Sequence, residues 1–232
     1  MSSSGWERMS NGTQMSGIEH PERVFVLSGP SGVGKNAVAG RLCESGRAVR
    51  AVTATSRKMR PGERDGVDYH FVSRQEFERL VAEGAFLEHA EYRGNLYGTS
   101  RAAIEGPLAA GRDLLLEIEV QGARQLRTQL PEARRIFLLP PSRKELERRL
   151  RARGTESEEV IARRLELASQ ELPEVFRYDY AVLNDELEAA VGRVLEIVRG
   201  EREGRRAELA LRFGPGLVLQ SVGGLAALLG SV

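Results

Sequence analysis

Gly29, Gly34 and Lys35 close a G-x-x-x-x-G-K spacing over Gly29-Pro30-Ser31-Gly32-Val33-Gly34-Lys35, and that spacing belongs to phosphate chemistry. The glycines let main-chain N–H groups turn inward and approach an anion closely, and a following helix N-terminus adds positive potential. Lys35 supplies the charge that reaches the β- and γ-phosphates of a nucleoside triphosphate. With 25 glycines and three lysines in the chain (Lys35, Lys58 and Lys144), random placement gives only about 0.04 such matches. Asn36 and Ala37 then stand where a Ser or Thr hydroxyl usually meets magnesium. An amide oxygen is a poorer magnesium ligand, but magnesium on ATP keeps several waters and is held largely by the phosphates. The loop, with Asn36, is therefore expected to bind ATP with Mg2+, the metal being held mainly by ATP and not by protein ligands.

A second anion site is spelled by Arg57 and Arg60, three residues apart around a turn set by Pro61-Gly62, with Tyr69 shortly beyond. Two guanidinium forks and a phenol make a clamp for a phosphate; an exposed basic loop is the other reading of the same residues. Downstream, FLEHAEYRGNLYGTS offers Glu88, Tyr97 and Thr99. A carboxylate accepts from both N1–H and the 2-amino group of guanine, whereas adenine N1 carries no proton, so a buried Glu88 would select guanine. Taken alone, Glu88 is an ordinary surface glutamate.

These residues need elements to hold them. RVFVLSG reads as a strand running into the glycine loop, Asn36–Ser45 as the following helix stopped by Gly46, and Arg47–Thr55 as a second strand. Strand, glycine loop, helix, strand opens a doubly wound α/β fold. Lys58–Val72 is dense in turn residues and leads into a short strand. Ser73–Gly84 reads as a helix with an N-cap serine and Glu76 completing a capping box, and Ala85–Ser100 as a hairpin across Arg93–Asn95. Helices at 101–111, 121–130, 143–154, 157–172 and 186–203 alternate with strands at 112–120, 133–141 and 178–185.

Composition bounds the rest. At 232 residues, 41% hydrophobic and 29% charged, the chain can build one sizeable globular domain. A net charge of +1 gives no field for nucleic acid or an acidic membrane. The single cysteine, Cys43, cannot form an internal disulfide, which suits a reducing compartment. The first twenty residues lack an apolar h-region and read as a disordered leader. The apolar tail from Gly214 is broken by glycine and too short to span a bilayer. His20, His70 and His89 sit in unrelated contexts, with no metal-ligand cluster.

Taken together, LSGPSGVGK, TSRKMRPGE-x2-GVDYHFV, FLEHAEYRGNLYGTS, EIEVQGA, IFLLPPS, RARGTESEEVIARRL and VLND resemble the guanylate kinases, in order, from about Arg23 to Glu203. The resemblance implies a P-loop NTPase-type α/β fold: a parallel sheet core flanked by helices, a mostly antiparallel GMP-binding insertion and a short helical lid. On that pattern residues 1–21 are the leader, 22–52 and 102–204 the core, 53–101 the insertion, 143–168 the lid, and 205–232 a tail of open order. It implies transfer of the γ-phosphoryl of ATP to GMP, with Thr53, Glu88 and Thr99 on guanine and Arg57, Arg60, Tyr69 and Tyr97 on the GMP phosphate. Lys35, Arg153 and Arg164, with magnesium, would stabilise the transferring group, Arg57 would join the catalytic set by offsetting repulsion at the acceptor, and Asn184 would lie near adenine. Glu119, near GMP and the metal, and Glu117 both stand where the family usually has Asp. Implied partners are ATP and GMP, with dGMP a further candidate; no nucleic acid, no membrane, an open oligomeric state and a cytoplasmic location complete the expectation.

The transfer needs no general base, because the acceptor phosphate oxygen is already anionic, only in-line positioning and charge neutralisation. Two rivals stand beside it. A guanylate-kinase-like module that binds phosphopeptides would explain Asn36-Ala37, and a kinase for another acceptor would share the loop.

Overall fold

Val24–Ser28 (β1) is buried at every residue, the pattern of a parallel strand covered on both faces. The computed structural model describes residues 18–92, 94–152 and 157–230. In the main sheet β1 is joined by Val49–Arg50 (β2), Leu114–Glu117 (β7), Arg134–Leu139 (β8) and Tyr180–Leu183 (β9), in the order β2-β7-β1-β8-β9. The pairs β2/β7, β1/β8 and β8/β9 are parallel, with Ser28 opposite Phe137 and Leu139 opposite Leu183. The expected parallel α/β sheet is therefore present, and the loop of interest leaves the carboxyl end of β1, where such sheets bind ligands.

A second sheet has the order β4-β3-β6-β5, built from Ala54–Thr55 (β3), His70–Phe71 (β4), Phe86–Tyr92 (β5) and Asn95–Ser100 (β6). It is mostly antiparallel, as expected for the insertion: β3/β6 and β5/β6 run antiparallel and β3/β4 parallel. One expectation is corrected here. Arg47–Thr55 is not one strand; Val49–Arg50 pairs in the first sheet and Ala54–Thr55 in the second. Val49, Val52, Thr53 and Thr55 give the whole stretch strand propensity, but its hydrogen-bond partners change along it, and propensity says nothing about partners.

Helices are Lys35–Glu44 (α1), Arg74–Ala82 (α2), Ala102–Ala109 (α3), Val120–Gln129 (α4), Arg143–Arg151 (α5), Glu158–Glu171 (α6), Leu187–Arg202 (α7), Arg206–Phe213 (α8), Pro215–Ser221 (α9) and Gly224–Leu229 (α10). Ser73 caps α2 by accepting from the Glu76 N–H, while the Glu76 carboxylate pairs with Arg79, so only the serine half of the capping box is seen. Ser142 and Ser157 cap α5 and α6 in the same way.

The described residues form two compact units, one of those up to Val24 and within 49–116 and 121–133, the other of those within 25–48 and 117–120 and from Arg134 on. Residues 1–17, most of the expected leader, lie outside the described residues. The tail is helical: Leu209, Phe213, Leu219 and Leu228 of α8–α10 are buried. Arg143 Nη1 donates to the Leu229 carbonyl and to Ser169 Oγ, both at 2.9 Å. Among the described residues no helix is long and apolar enough to cross a membrane.

In the unit carrying the second sheet, Phe77 is fully buried and its ring stacks on Phe86 at 4.5 Å between centroids. Phe77→Ala is expected to lower unfolding free energy by about 3–5 kcal/mol in urea titrations. A loss under about 1 kcal/mol would mean that this ring is not the anchor of its unit.

Candidate active site

The loop is shaped by close packing. Gly29 lies at φ +149°, and a Cβ there would stand 2.6 Å from the Leu138 carbonyl; Gly34 lies at φ +101°, where a Cβ would stand 2.6 Å from Asn184 Nδ2. Side chains are excluded at both positions by conformation and by space. Lys35 opens α1, so the helix N-terminus faces the same region as its own ammonium group.

Lys35 is 8% exposed, and its Nζ donates to the Gly29 carbonyl at 2.8 Å and to Glu119 Oε2 at 3.0 Å. Burial works against the ammonium charge, but Glu119, then Glu171 and Glu117, raise its pKa above the usual lysine value. The Ile118 N–H donates to the Leu27 carbonyl, laying the segment after β7 along β1 and delivering Glu119 to the lysine.

Other elements hold the loop from outside. Asn184 Nδ2 donates to the Val33 carbonyl at 2.6 Å, and Arg149 Nη1 reaches the same carbonyl at 3.4 Å. The Ser31 N–H donates to Glu171 Oε2 at 3.2 Å, and Arg164 Nε donates to Ser31 Oγ at 3.0 Å. Asn36 and Ala37 are exposed in the first turn of α1. Gly29 to Asn36, Glu119, Arg164 and Asn184 are thus gathered in one unit. Arg153 lies outside the described residues.

The other unit gathers the remaining candidates. Glu88 faces Thr99 across β5/β6, beside a register shift between Phe86 and Glu88. Such a bulge re-aims side chains. Glu88 is 4% exposed; Thr99 Oγ1 donates to its Oε1 at 2.6 Å. A Cβ on Gly122 would lie 2.0 Å from Glu88 Oε2, so glycine there makes room for the carboxylate. Arg57 donates through Nη2 to Glu63 Oε1 and through Nη1 to the Lys58 carbonyl, both at 2.7 Å. Its guanidinium also lies 5.6 Å from the Tyr69 ring centroid. Tyr69 meets Tyr97 edge-on at 6.2 Å. The Arg60 N–H donates to the second Glu63 oxygen at 2.7 Å. Thr53 is half-buried, and its carbonyl accepts from the His70 N–H at 2.8 Å.

The family model for guanylate kinase matches residues 21–201. The chain belongs to the guanylate kinase family. A guanylate kinase of Thermus thermophilus is 52% identical over 195 residues, spanning 82% of this chain and 89% of its own. That of Vibrio parahaemolyticus is 48% identical over 182 residues, spanning 77% and 88%. The crystal structure of guanylate kinase from Anaplasma phagocytophilum superposes with a TM-score of 0.64 at 36% identity, covering 82% of this chain and 94% of that one. The guanylate kinase match ends before α8, so the tail helices lie beyond it.

Glu63, Gly122 and Glu171 were not singled out from sequence. Glu63 carried a usable signal, an acid six residues after Arg57 and three after Arg60 in one tight turn. Gly122 and Glu171 carried none, since their partners lie 34 and 140 residues away.

The hydrogen bond from Arg57 holds the Glu63 carboxyl below the usual glutamate range. A lowered folded pKa means that this pair stabilises the fold fully above the ordinary glutamate value and loses that contribution as pH falls through the folded one. Glu63→Gln should therefore melt below the unmodified chain at pH 7, with the gap closing between about pH 5 and pH 3. A gap in Tm that stays constant across that range would refute the pairing.

Proposed function

We propose that this chain transfers the γ-phosphoryl group of ATP to GMP, giving ADP and GDP. The observation that carries the reading is Glu88: a buried carboxylate, held by Thr99 and given room by Gly122, in a chain that also carries a complete G-x-x-x-x-G-K loop. Guanine offers that carboxylate two donors, while adenine would leave a buried charge unpaired.

In this reading the loop amides and Lys35 hold the ATP phosphates. Glu119 now neutralises Lys35, and the phosphates would compete with it for the ammonium. Arg57 and Arg60 take the GMP phosphate, beside Tyr69 and Tyr97, and Glu63 gives up part of its hold on Arg57. Thr53 and Thr99 line the guanine, and Asn184 keeps the loop carbonyl of Val33 in place beside the adenine. Arg164, with Arg153, offsets charge on the equatorial oxygens as the γ-phosphoryl moves. GMP attacks with an oxygen that is already anionic, so no side chain need remove a proton.

Glu119 acts on Lys35 through a hydrogen bond and Glu117 through its charge, and carboxylate oxygens of this kind suit a hard divalent cation. Magnesium carried by ATP would suit them, with Glu119 the carboxylate bonded to the lysine, and would supply charge neutralisation of the phosphates. Cytoplasmic residence and use of dGMP belong to the same proposal.

The deciding measurement is a coupled assay with ATP, magnesium and GMP, dGMP, AMP or UMP as acceptor. GMP should exceed AMP by at least about 10³-fold in kcat/KM, since a site with a buried hydrogen-bonding group rejects the analogue lacking its partner. A preference for AMP would overturn the role of Glu88. Gly122→Ala, which drives a methyl group into Glu88, should raise KM for GMP about tenfold or more while KM for ATP stays within about twofold. Restoring hydroxyls with Asn36→Ser and Ala37→Thr should lower KM for MgATP or raise kcat; no change in either would contradict the view that this loop is weakened.

A further inference from the structure

Arg164 and Glu171 lie seven residues apart on α6, two turns along one face, with the buried Ala168 between them. Both close on the same loop residue. Arg164 Nε donates to the Ser31 hydroxyl at 3.0 Å, and the Ser31 N–H donates to Glu171 Oε2 at 3.2 Å. Ser31 is 3% exposed and Arg164 7%, so the bond between them is buried, while the one to the half-buried Glu171 is partly so. One residue of the phosphate loop is therefore gripped at main chain and side chain by a single helix, whose arginine lies 133 positions further along the chain.

An arginine side chain must give up rotamer freedom before its planar fork can meet a phosphoryl oxygen. Groups already fixed in place need no reorganisation at the moment of reaction. We propose that Ser31 and Glu171 are positioning residues for Arg164: Glu171 fixes the Ser31 main chain, and the Ser31 hydroxyl fixes the guanidinium through Nε. The arginine then moves with the loop that carries the triphosphate, and its register to the transferring group is set before the acceptor arrives. Neither Ser31 nor Glu171 needs to touch the reacting atoms through its side chain. The inference rests on the GMP kinase reading given above.

The test is a kinetic double-mutant cycle. Ser31→Ala should lower kcat about tenfold, with KM for ATP and GMP within about twofold and an unchanged Tm. Ser31→Thr, which keeps the hydroxyl, should restore kcat. Glu171→Gln, which still accepts from the Ser31 N–H, should hold more of kcat than Glu171→Ala. In an Arg164→Ala background, adding Ser31→Ala should cost less than about twofold, because the group it positions is gone. Additive losses in the cycle, a loss expressed only in Tm or KM, or full activity in Ser31→Ala would each overturn the positioning role. The two possible failures separate cleanly. An active unmodified chain with additive variants refutes the positioning alone, whereas an unmodified chain inactive toward GMP refutes the activity on which it rests.

Discussion

The ammonium group of Lys35 is a charge in a place that does not solvate it, and most of the loop's surroundings follow from that constraint. At 8% exposure it must be neutralised inside the protein. A buried charge without a partner is far more costly than an exposed one. Glu119 and the Gly29 carbonyl provide that partner. The segment after β7 can deliver Glu119 only because it runs along β1, and β1 is buried on both faces so that the loop leaves it in a fixed direction.

The same device recurs in the other unit. Arg57 is bonded to Glu63, which also takes the Arg60 main-chain N–H. Lys35 and Arg57 therefore each rest on an internal carboxylate. In the reading proposed above, a phosphate would displace a carboxylate at each of these two, exchanging one charge-assisted hydrogen bond for another, and the choice of base would fall to Glu88.

Much of this was legible in the residues. The strand–loop–helix opening, the hairpin of β5 and β6 and Lys35 follow from local pattern, whereas Arg57, Glu88 and Thr99 stood out only once the longer motifs were read together. Local pattern failed where partners are distant. The run from Arg47 to Thr55 has one composition but two sheets, because strand propensity records a fit to a pleated surface and not which surface. Glu171 sits in a helix rich in charge, and nothing in its neighbours marks it as the acceptor for Ser31. Gly122 looks like a flexible position and is instead a space reserved for a carboxylate oxygen.

The tail helices carry a different lesson. They begin after the stretch matched by the family model, yet four of their side chains are buried and the Leu229 carbonyl is tied to Arg143 at the root of α5. The stretch matched by the family model and the packed interior thus end at different residues, and removing α8–α10 would uncover apolar side chains and take one acceptor from Arg143.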